Sequence, residues 1–260
     1  MNSVANLILL FFIYSFLGWC IEIILKYIQL HRFVNRGFFV GPICPIYGSG
    51  AILITLAIGG LARYEYAYGT TFILSLLICG TIEFLTSFIM EKTLHARWWD
   101  YSNKPMNLNG RIWIGGLALF GIAGVVITHF VNPFLSGVFA SIPLTVREIA
   151  AGVLVTLFII DYILMHFMLK LIKVGVESSN TDNTEEIKKE VYFLLSNRSI
   201  LYKRFANAYP DVIYYADQVN ARITKVKDST KRLKREAKRK IKRGKKRVTA
   251  KIKFTNKKGS

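Results

Sequence analysis

The sequence predicts an all-α fold: a polytopic helical membrane protein with about five transmembrane helices in residues 1–172 and a basic cytoplasmic tail, helical or disordered, in residues 173–260. Two observations predict it. Apolar residues make up 52% of the 260-residue chain and the mean hydropathy is +0.34, too apolar for an ordinary soluble domain. Charge is also partitioned: residues 1–172 carry 10 Lys/Arg against 7 Asp/Glu, and residues 173–260 carry 25 against 9. A nearly neutral membrane part therefore precedes a tail of strong positive charge.

Crossing a hydrocarbon core takes about 20 apolar residues. Five runs qualify, near residues 4–27, 46–62, 70–90, 112–131 and 148–171. The first has no Lys or Arg before its apolar run, so it reads as a retained span and not as a signal peptide. The second is short and holds Gly48, Gly50, Gly59 and Gly60, so it is expected to tilt or to be flanked by loop buried in protein. Basic loops alternate with nearly neutral ones. Lys26, Arg32 and Arg36 follow span 1, and Lys92, Arg97, Lys104 and Arg111 follow span 3; the other two loops have only Arg63 and Arg147. Cytoplasmic loops carry the excess of Lys and Arg, which places the N-terminus outside and the C-terminus in the cytoplasm.

Span 1 ends with Glu22 and Lys26, i,i+4 neighbours that suit a surface ion pair with Lys26 snorkelling outward; a functional carboxylate is the other reading, and both can hold. The loop after it, HRFVNRGFFVGPICPIYGSG, is apolar, aromatic and rich in Gly and Pro, so it is expected to pack within the protein or at the membrane surface. Pro45 suits the first position of span 2. In span 3, Glu83 lies eight residues before Glu91, roughly 12 Å inside the boundary. A charge near the bilayer centre costs about 2.5–3.5 kcal/mol, so Glu83 either faces a wet cavity or is a protonated group hydrogen-bonded to a neighbouring helix. Gly18 with Glu22 and Gly80 with Glu83 hint at a parallel repeat of span, loop and span.

In the third loop, Trp98, Trp99 and Tyr101 suit an interfacial aromatic belt. Asp100 sits among Arg97, Lys104 and Arg111 and is expected to form an ion pair. Asn107, Asn109 and Gly110 form a turn whose side chains are expected to satisfy the N-terminus of span 4. Span 4 carries Gly115, Gly116, Gly121 and Gly124, a close-packing face. His129 at its outer end reads as interfacial, Pro133 and Pro143 fall in the loop that follows, and Thr145 to Glu148 resembles a capping box opening span 5. Span 5 carries Asp161 mid-run.

In the tail, residues 184–208 are an amphipathic helix candidate and 211–260 a basic segment. Residues 222–258 hold 19 Lys/Arg and two acids, which suits anionic inner-leaflet lipid. Nucleic acid is not the expected partner, because stacking aromatics are almost absent there. No phosphate loop, zinc-protease motif or nucleophile elbow is present, so no ATPase and no enzyme is read in this chain; no metal or cofactor is expected either. Together, Glu22, Arg36, Glu83, Asp100, Arg111 and Asp161 are candidate lining residues of a polar, cytoplasm-facing cavity.

Several stretches together resemble the CmpB-type family of bacterial ABC-transporter permeases (type IV). They are Ser15-Phe16-Leu17-Gly18-Trp19 with Glu22; Phe33-Val34-Asn35-Arg36-Gly37-Phe38 with Gly41-Pro42 and Cys44-Pro45-Ile46-Tyr47-Gly48; Glu83; Trp98-Trp99-Asp100-Tyr101 with Pro105; and Asn107-Leu108-Asn109-Gly110-Arg111. The likeness covers about residues 7–130. It implies a multi-pass protein of a bacterial plasma membrane, named as a permease and served by a separate ATPase subunit; no substrate carries over. The rival readings are a non-transporting scaffold or regulator that binds another membrane protein at its cytoplasmic loops, and a membrane-embedded enzyme acting on a lipid. A homo-oligomer is compatible with each.

Overall fold

The computed structural model describes residues 3–31, 33–35, 37–60, 67–178, 184–197, 202, 204 and 212–214. Arg36 and the basic segment, apart from Val212–Tyr214, lie outside the described residues. The chain divides into a unit of residues 1–215 and a second unit of residues 216–260; every described residue belongs to the first.

Helix α1 (Val4–Leu30) and helix α3 (Tyr68–Leu94) are each 27 residues long, about 40 Å at 1.5 Å per residue. Both end on a histidine in the left-handed conformation. His31 (φ 50°) returns its amide to the Tyr27 carbonyl, and His95 (φ 51°) to that of Glu91. Such a residue closes the last turn and turns the chain out of the helix. Helix α2 (Pro45–Gly60) opens on Pro45, whose missing N–H costs nothing at that position. Its 16 residues span only about 24 Å, short of a hydrocarbon core of about 30 Å. The preceding loop makes up the difference by folding inward: Val34 and Phe39 are buried.

Helix α4 (Ile114–Val126) continues through a π turn (Ile127–Val131) into helix α5 (Asn132–Ala140), and the whole is apolar enough to cross a membrane. The sequence expectation put Pro133 in a loop; instead it sits in the first turn of α5. The π turn shifts the hydrogen-bond register just before the proline, and the missing N–H falls where a helix start tolerates it. Helix α6 (Leu144–Ser178) begins before the expected capping box, so Thr145–Glu148 lie in its first turns; the Pro143 carbonyl accepts the Val146 and Arg147 amides. The helix also outruns residue 171, reaching about 52 Å. Helix α7 (Thr184–Ser196) folds back on it, with Ile187, Val191 and Leu195 buried at i, i+4 and i+8 and Val191 against Gly175. It covers the first half of the amphipathic segment; of the second half, residues 198–201, 203 and 205–208 lie outside the described residues.

The burial pattern is that of lipid-exposed helices. The inward face of α3 carries Thr71, Ser75, Gly80, Glu83 and Ser87, whereas Ile73, Leu77, Leu85, Phe88 and Ile89 are exposed. In water that arrangement would be inverted. In lipid, close packing of small residues holds helices together. A Cβ on Gly48 of α2 would fall on Ser15 and Phe11 of α1, and one on Gly124 of α4 would fall on Ser75 of α3. Between these pairs, Leu10, Tyr14, Ala51 and Phe139 form a buried apolar cluster. Among the described residues, four helices are long and apolar enough to cross a membrane, and α2 is a shorter apolar helix.

Short strands finish the loops. Strands β2 (Asn107–Leu108) and β3 (Ile112–Trp113) pair as a tight hairpin, with Asn107 opposite Trp113. Strand β1 (Ala96–Arg97) pairs antiparallel with β4 (Ile213–Tyr214), Ala96 opposite Tyr214. The loop after α1 and the loop after α3 lie at the same end of the bundle, where Phe38 meets Trp98 edge-to-face at 5.0 Å.

Candidate functional site

Two carboxylates are held in the helix bundle by tyrosines. Gly18 and Glu22 lie one turn apart on α1, and a Cβ on Gly18 would fall on the Tyr47 ring. The glycine therefore lets the ring lie flat across α1, and its hydroxyl donates to Glu22 at 2.7 Å. On α3, Glu83 is buried and accepts a hydrogen bond from the Tyr101 hydroxyl at 3.3 Å. Glu22 lies within electrostatic range of Glu83, and Tyr47 of Tyr101. The structure thus places the two acids singled out in spans 1 and 3 within electrostatic range of each other. Tyr47 and Tyr101 had been read as a loop residue and an interfacial anchor; their hydroxyls cap the acids instead. No local pattern marks this role, because Tyr101 is 18 residues from its partner.

A second cluster lies at the end of α3. Glu91 accepts from Arg97 Nε and Arg111 Nη1, both at 2.8 Å. Arg111 is buried, also donates to Ser87 at 3.3 Å, and lies over the rings of Phe84 and Phe88. Asp100 pairs with Arg97 at 3.4 Å and accepts from both the Ser102 hydroxyl and amide. Partial burial pushes the Asp100 carboxyl up, but the Ser102 hydrogen bonds and the Arg97 charge outweigh it and hold the group below the usual carboxylate range. Gly110, at φ 66°, lets the Asp100 carboxylate approach its backbone; any side chain there would strike it. The Asn107 side chain donates to the Ser102 and Lys104 carbonyls and accepts from the Gly110 amide, so it holds its own loop and not the start of α4, as had been expected. Trp99 donates to the Arg111 carbonyl at 3.1 Å, and Trp98 is buried beneath Phe38. Trp98 is therefore loop core and not part of a belt, because the two loops pack on each other.

The third group anchors the loop before α2. Trp19 donates to the Asn35 side chain at 2.9 Å, which also accepts the Gly37 amide, and a Cβ at Gly37 would crowd the Trp19 indole. Asp161 of α6 accepts the Val40 and Gly41 amides, each at 2.8 Å. Gly41, followed by Pro42, leaves room for that carboxylate. Asp161 spends its oxygens on the loop; the acid pair of Glu22 and Glu83 is built without it. Arg204, which no sequence signal singled out, donates to the carbonyls of Gly37, Phe39 and Val40 at 3.4, 2.9 and 2.8 Å. Asp161→Asn is expected to loosen this loop by about 1.5–3 kcal/mol, since one amide then faces a donor in place of a charged acceptor. Faster proteolysis within residues 33–41, with α1 and α6 still intact, is the expected readout.

A polar knot at the opposite end was also invisible in the sequence. Tyr14 donates to Asn132 at 2.6 Å, and Asn132 to Thr55 at 3.0 Å, tying α1, α2 and α5. His129, read as interfacial, makes a 3.0 Å hydrogen bond with Thr71 and lies against Tyr68.

Apolar helices with an inward polar face, two acids held in the bundle and two folded loops at one end define a multi-pass integral membrane protein. The chain belongs to the CmpB-type family described as "Putative ABC-transporter type IV", whose sequence model matches residues 9–166. The match runs beyond the stretch in which the motifs were legible and takes in Asp161. No curated protein and no solved structure matches the chain.

Proposed function

We propose that this chain is the membrane-embedded component of a permease, with a polar chamber at the loop end built around Glu22, Tyr47, Glu83 and Tyr101 and worked by a separate ATPase. The observation that carries the reading is the convergence of two acids from different helices. Two carboxylates inside a bundle of lipid-exposed helices are costly to keep, and such groups usually face a ligand path or a wet interior. The family's description as an ABC transporter supports it, and in this reading ATP hydrolysis belongs to a separate subunit, since these residues hold no phosphate loop. The loop end faces the cytoplasm in this reading, because Lys26, Arg97, Lys104 and Arg111 are concentrated there. Arg36 lies in the sequence between α1 and α2. The membrane is the plasma membrane of a bacterium. Arg111, Arg97 and Asp100 form the rim of the chamber, and Asp161 positions its floor loop.

One observation favours a second reading, a scaffold without transport: the loops are tightly hydrogen-bonded and form a ready docking face for another membrane protein. Native mass spectrometry of the gently solubilised protein separates the two. The permease reading expects an ATPase subunit at fixed stoichiometry and a small polar molecule retained by the native chain but lost in Glu83→Gln. A different protein partner, with no ATPase in any sample, overturns it in favour of the scaffold.

A further inference from the structure

Side chains four residues apart line up as one ridge on a helix surface. On α3 the ridge of Thr71, Ser75, Cys79, Glu83, Ser87 and Glu91 is polar from one end of the helix to the other. It faces protein and not lipid: Thr71, Ser75, Glu83 and Ser87 are buried, and a Cβ on Gly50 of α2 would lie 3.0 Å from the Cys79 sulfur. Close packing explains why most of these residues are small, but alanine would pack as closely. The hydroxyl of Ser75 needs another reason. Ser75 is 0% exposed, and its Oγ has no hydrogen-bond partner among the described residues. Other hydroxyls of the bundle bond back to the carbonyl one turn earlier, as those of Thr55, Thr81 and Thr93 do. Ser75 leaves its hydroxyl on the ridge, at a cost of about 1–3 kcal/mol for an unpaired buried group. One turn before it, Thr71 turns its hydroxyl to the half-buried His129, at the end of the bundle away from the loops.

We propose that this ridge is a proton path that joins Glu83 to the end of the bundle away from the loops, and that Arg111 closes it toward the loop end. From Thr71 to Glu83 the path is about 18 Å long, in three steps of about 6 Å. A step of that length is spanned by water hydrogen-bonded to both neighbours, so water is the co-reactant and is returned unchanged. A proton taken up at His129 Nδ1 releases the one on Nε2 to Thr71 Oγ1. The Thr71 hydroxyl passes its own proton through water to Ser75 Oγ, which does the same toward Cys79 and Glu83. The Glu83 carboxylate ends as a carboxylic acid, and only N–H, O–H and S–H bonds form or break. The groups that face Glu83 are the Tyr101 hydroxyl from the loop after α3, Glu22 of α1 with Tyr47 of α2 upon it, and Cys79 of its own helix; α4 brings only the apolar Leu117, against Gly80. Beyond Glu83 the ridge meets a fixed cation. Arg111 donates to Ser87 and Glu91, so a proton leaving Glu83 in that direction runs into a guanidinium. The inference concerns how protons reach the acid pair, and it holds whether the chamber transports a solute or only binds one.

The test uses the full-length chain in sealed right-side-out and inverted membrane vesicles under an imposed pH gradient. An impermeant maleimide on Asn103→Cys, an exposed position after α3, establishes which side the loop end faces in each preparation. The probe is dicyclohexylcarbodiimide, which reacts with membrane carboxyls that carry their proton, and the adduct at Glu83 is quantified by peptide mass spectrometry. Labelling of Glu83 is expected to be several-fold greater when the acidic side is the one opposite the loops than when the gradient is reversed. Ser75→Ala is expected to remove most of that difference. So is Thr71→Val, which keeps the shape of the side chain and loses the hydroxyl, whereas Thr71→Ser, which keeps the hydroxyl, is expected to retain it. A packing role would rank the two Thr71 variants the other way. Labelling that follows the pH of the loop side or ignores the direction of the gradient overturns the proposal, as does a difference that survives in Ser75→Ala and Thr71→Val or a Glu83 that is never labelled.

Discussion

Glu91→Ala is expected to destabilise the protein by about 3–5 kcal/mol, the cost of leaving a buried ion without its partner. Glu91 is shared by two guanidinium groups at 2.8 Å each, and the Arg111 side chain is only 8% exposed. Arg97 keeps Asp100 when Glu91 is removed, but Arg111 keeps only the neutral Ser87 hydroxyl and two ring faces. Its charge is then stranded beside the end of α3. Arg111→Ala should be similarly costly, because Glu91 loses one of its two bases and the rings lose their cover. The double variant Glu91→Ala/Arg111→Ala should cost less than the sum of the two, since neither charge remains to be left alone. Denaturation of the purified protein in mild detergent, run as a double-mutant cycle, measures this. Additive losses would show that the pair is not coupled and that Arg111 is held by its packing alone.

Gly48→Ala is expected to cost about 1–3 kcal/mol or more, although alanine is the better helix former. The added methyl falls on the Ser15 hydroxyl and against the Phe11 carbonyl, and a backbone carbonyl of a packed helix has little room to retreat. Helices α1 and α2 would have to separate, and with them Tyr47 would withdraw from Glu22. Gly152→Ala supplies the control. Gly152 lies within α6, and a Cβ there meets no heavy atom within 4 Å. That change is expected to be neutral or stabilising by up to about 1 kcal/mol through propensity. Thermal unfolding of the two variants side by side should therefore separate, Gly48→Ala unfolding at a lower temperature than the unsubstituted chain and Gly152→Ala at the same or a higher one. Equal tolerance of both changes would mean that α1 and α2 do not pack as closely as Gly48 and Ser15 indicate.

The membrane class and the presence of long apolar helices were legible because hydropathy is a local sum: α3 is apolar whatever it touches. Pro45 opening α2 and the glycine-dependent loops were legible for the same reason, since they rest on the backbone limits of single residues. Pro133 misled because a proline breaks a helix only when its missing N–H is needed. The π turn before it removes that need, and no rule applied along the sequence detects the shift. The acids at residues 22, 83 and 161 stood out as charges in apolar runs, but their roles did not.

The sequence by itself determined a polytopic helical membrane protein with a basic tail, the likeness to its family and the residues costly enough in lipid to require partners. Only the tertiary structure decided which partners those are. Glu22 meets Tyr47 and Glu83 meets Tyr101, whereas Asp161 turns to backbone amides 120 and 121 residues away and Arg204 reaches carbonyls more than 160 residues distant. Burial cost is a property of one residue in its solvent and can be read in sequence. A hydrogen-bond partner is a matter of where two helices come to lie, and that is set by Gly18, Gly48, Gly80 and Gly124 allowing close approach across the bundle.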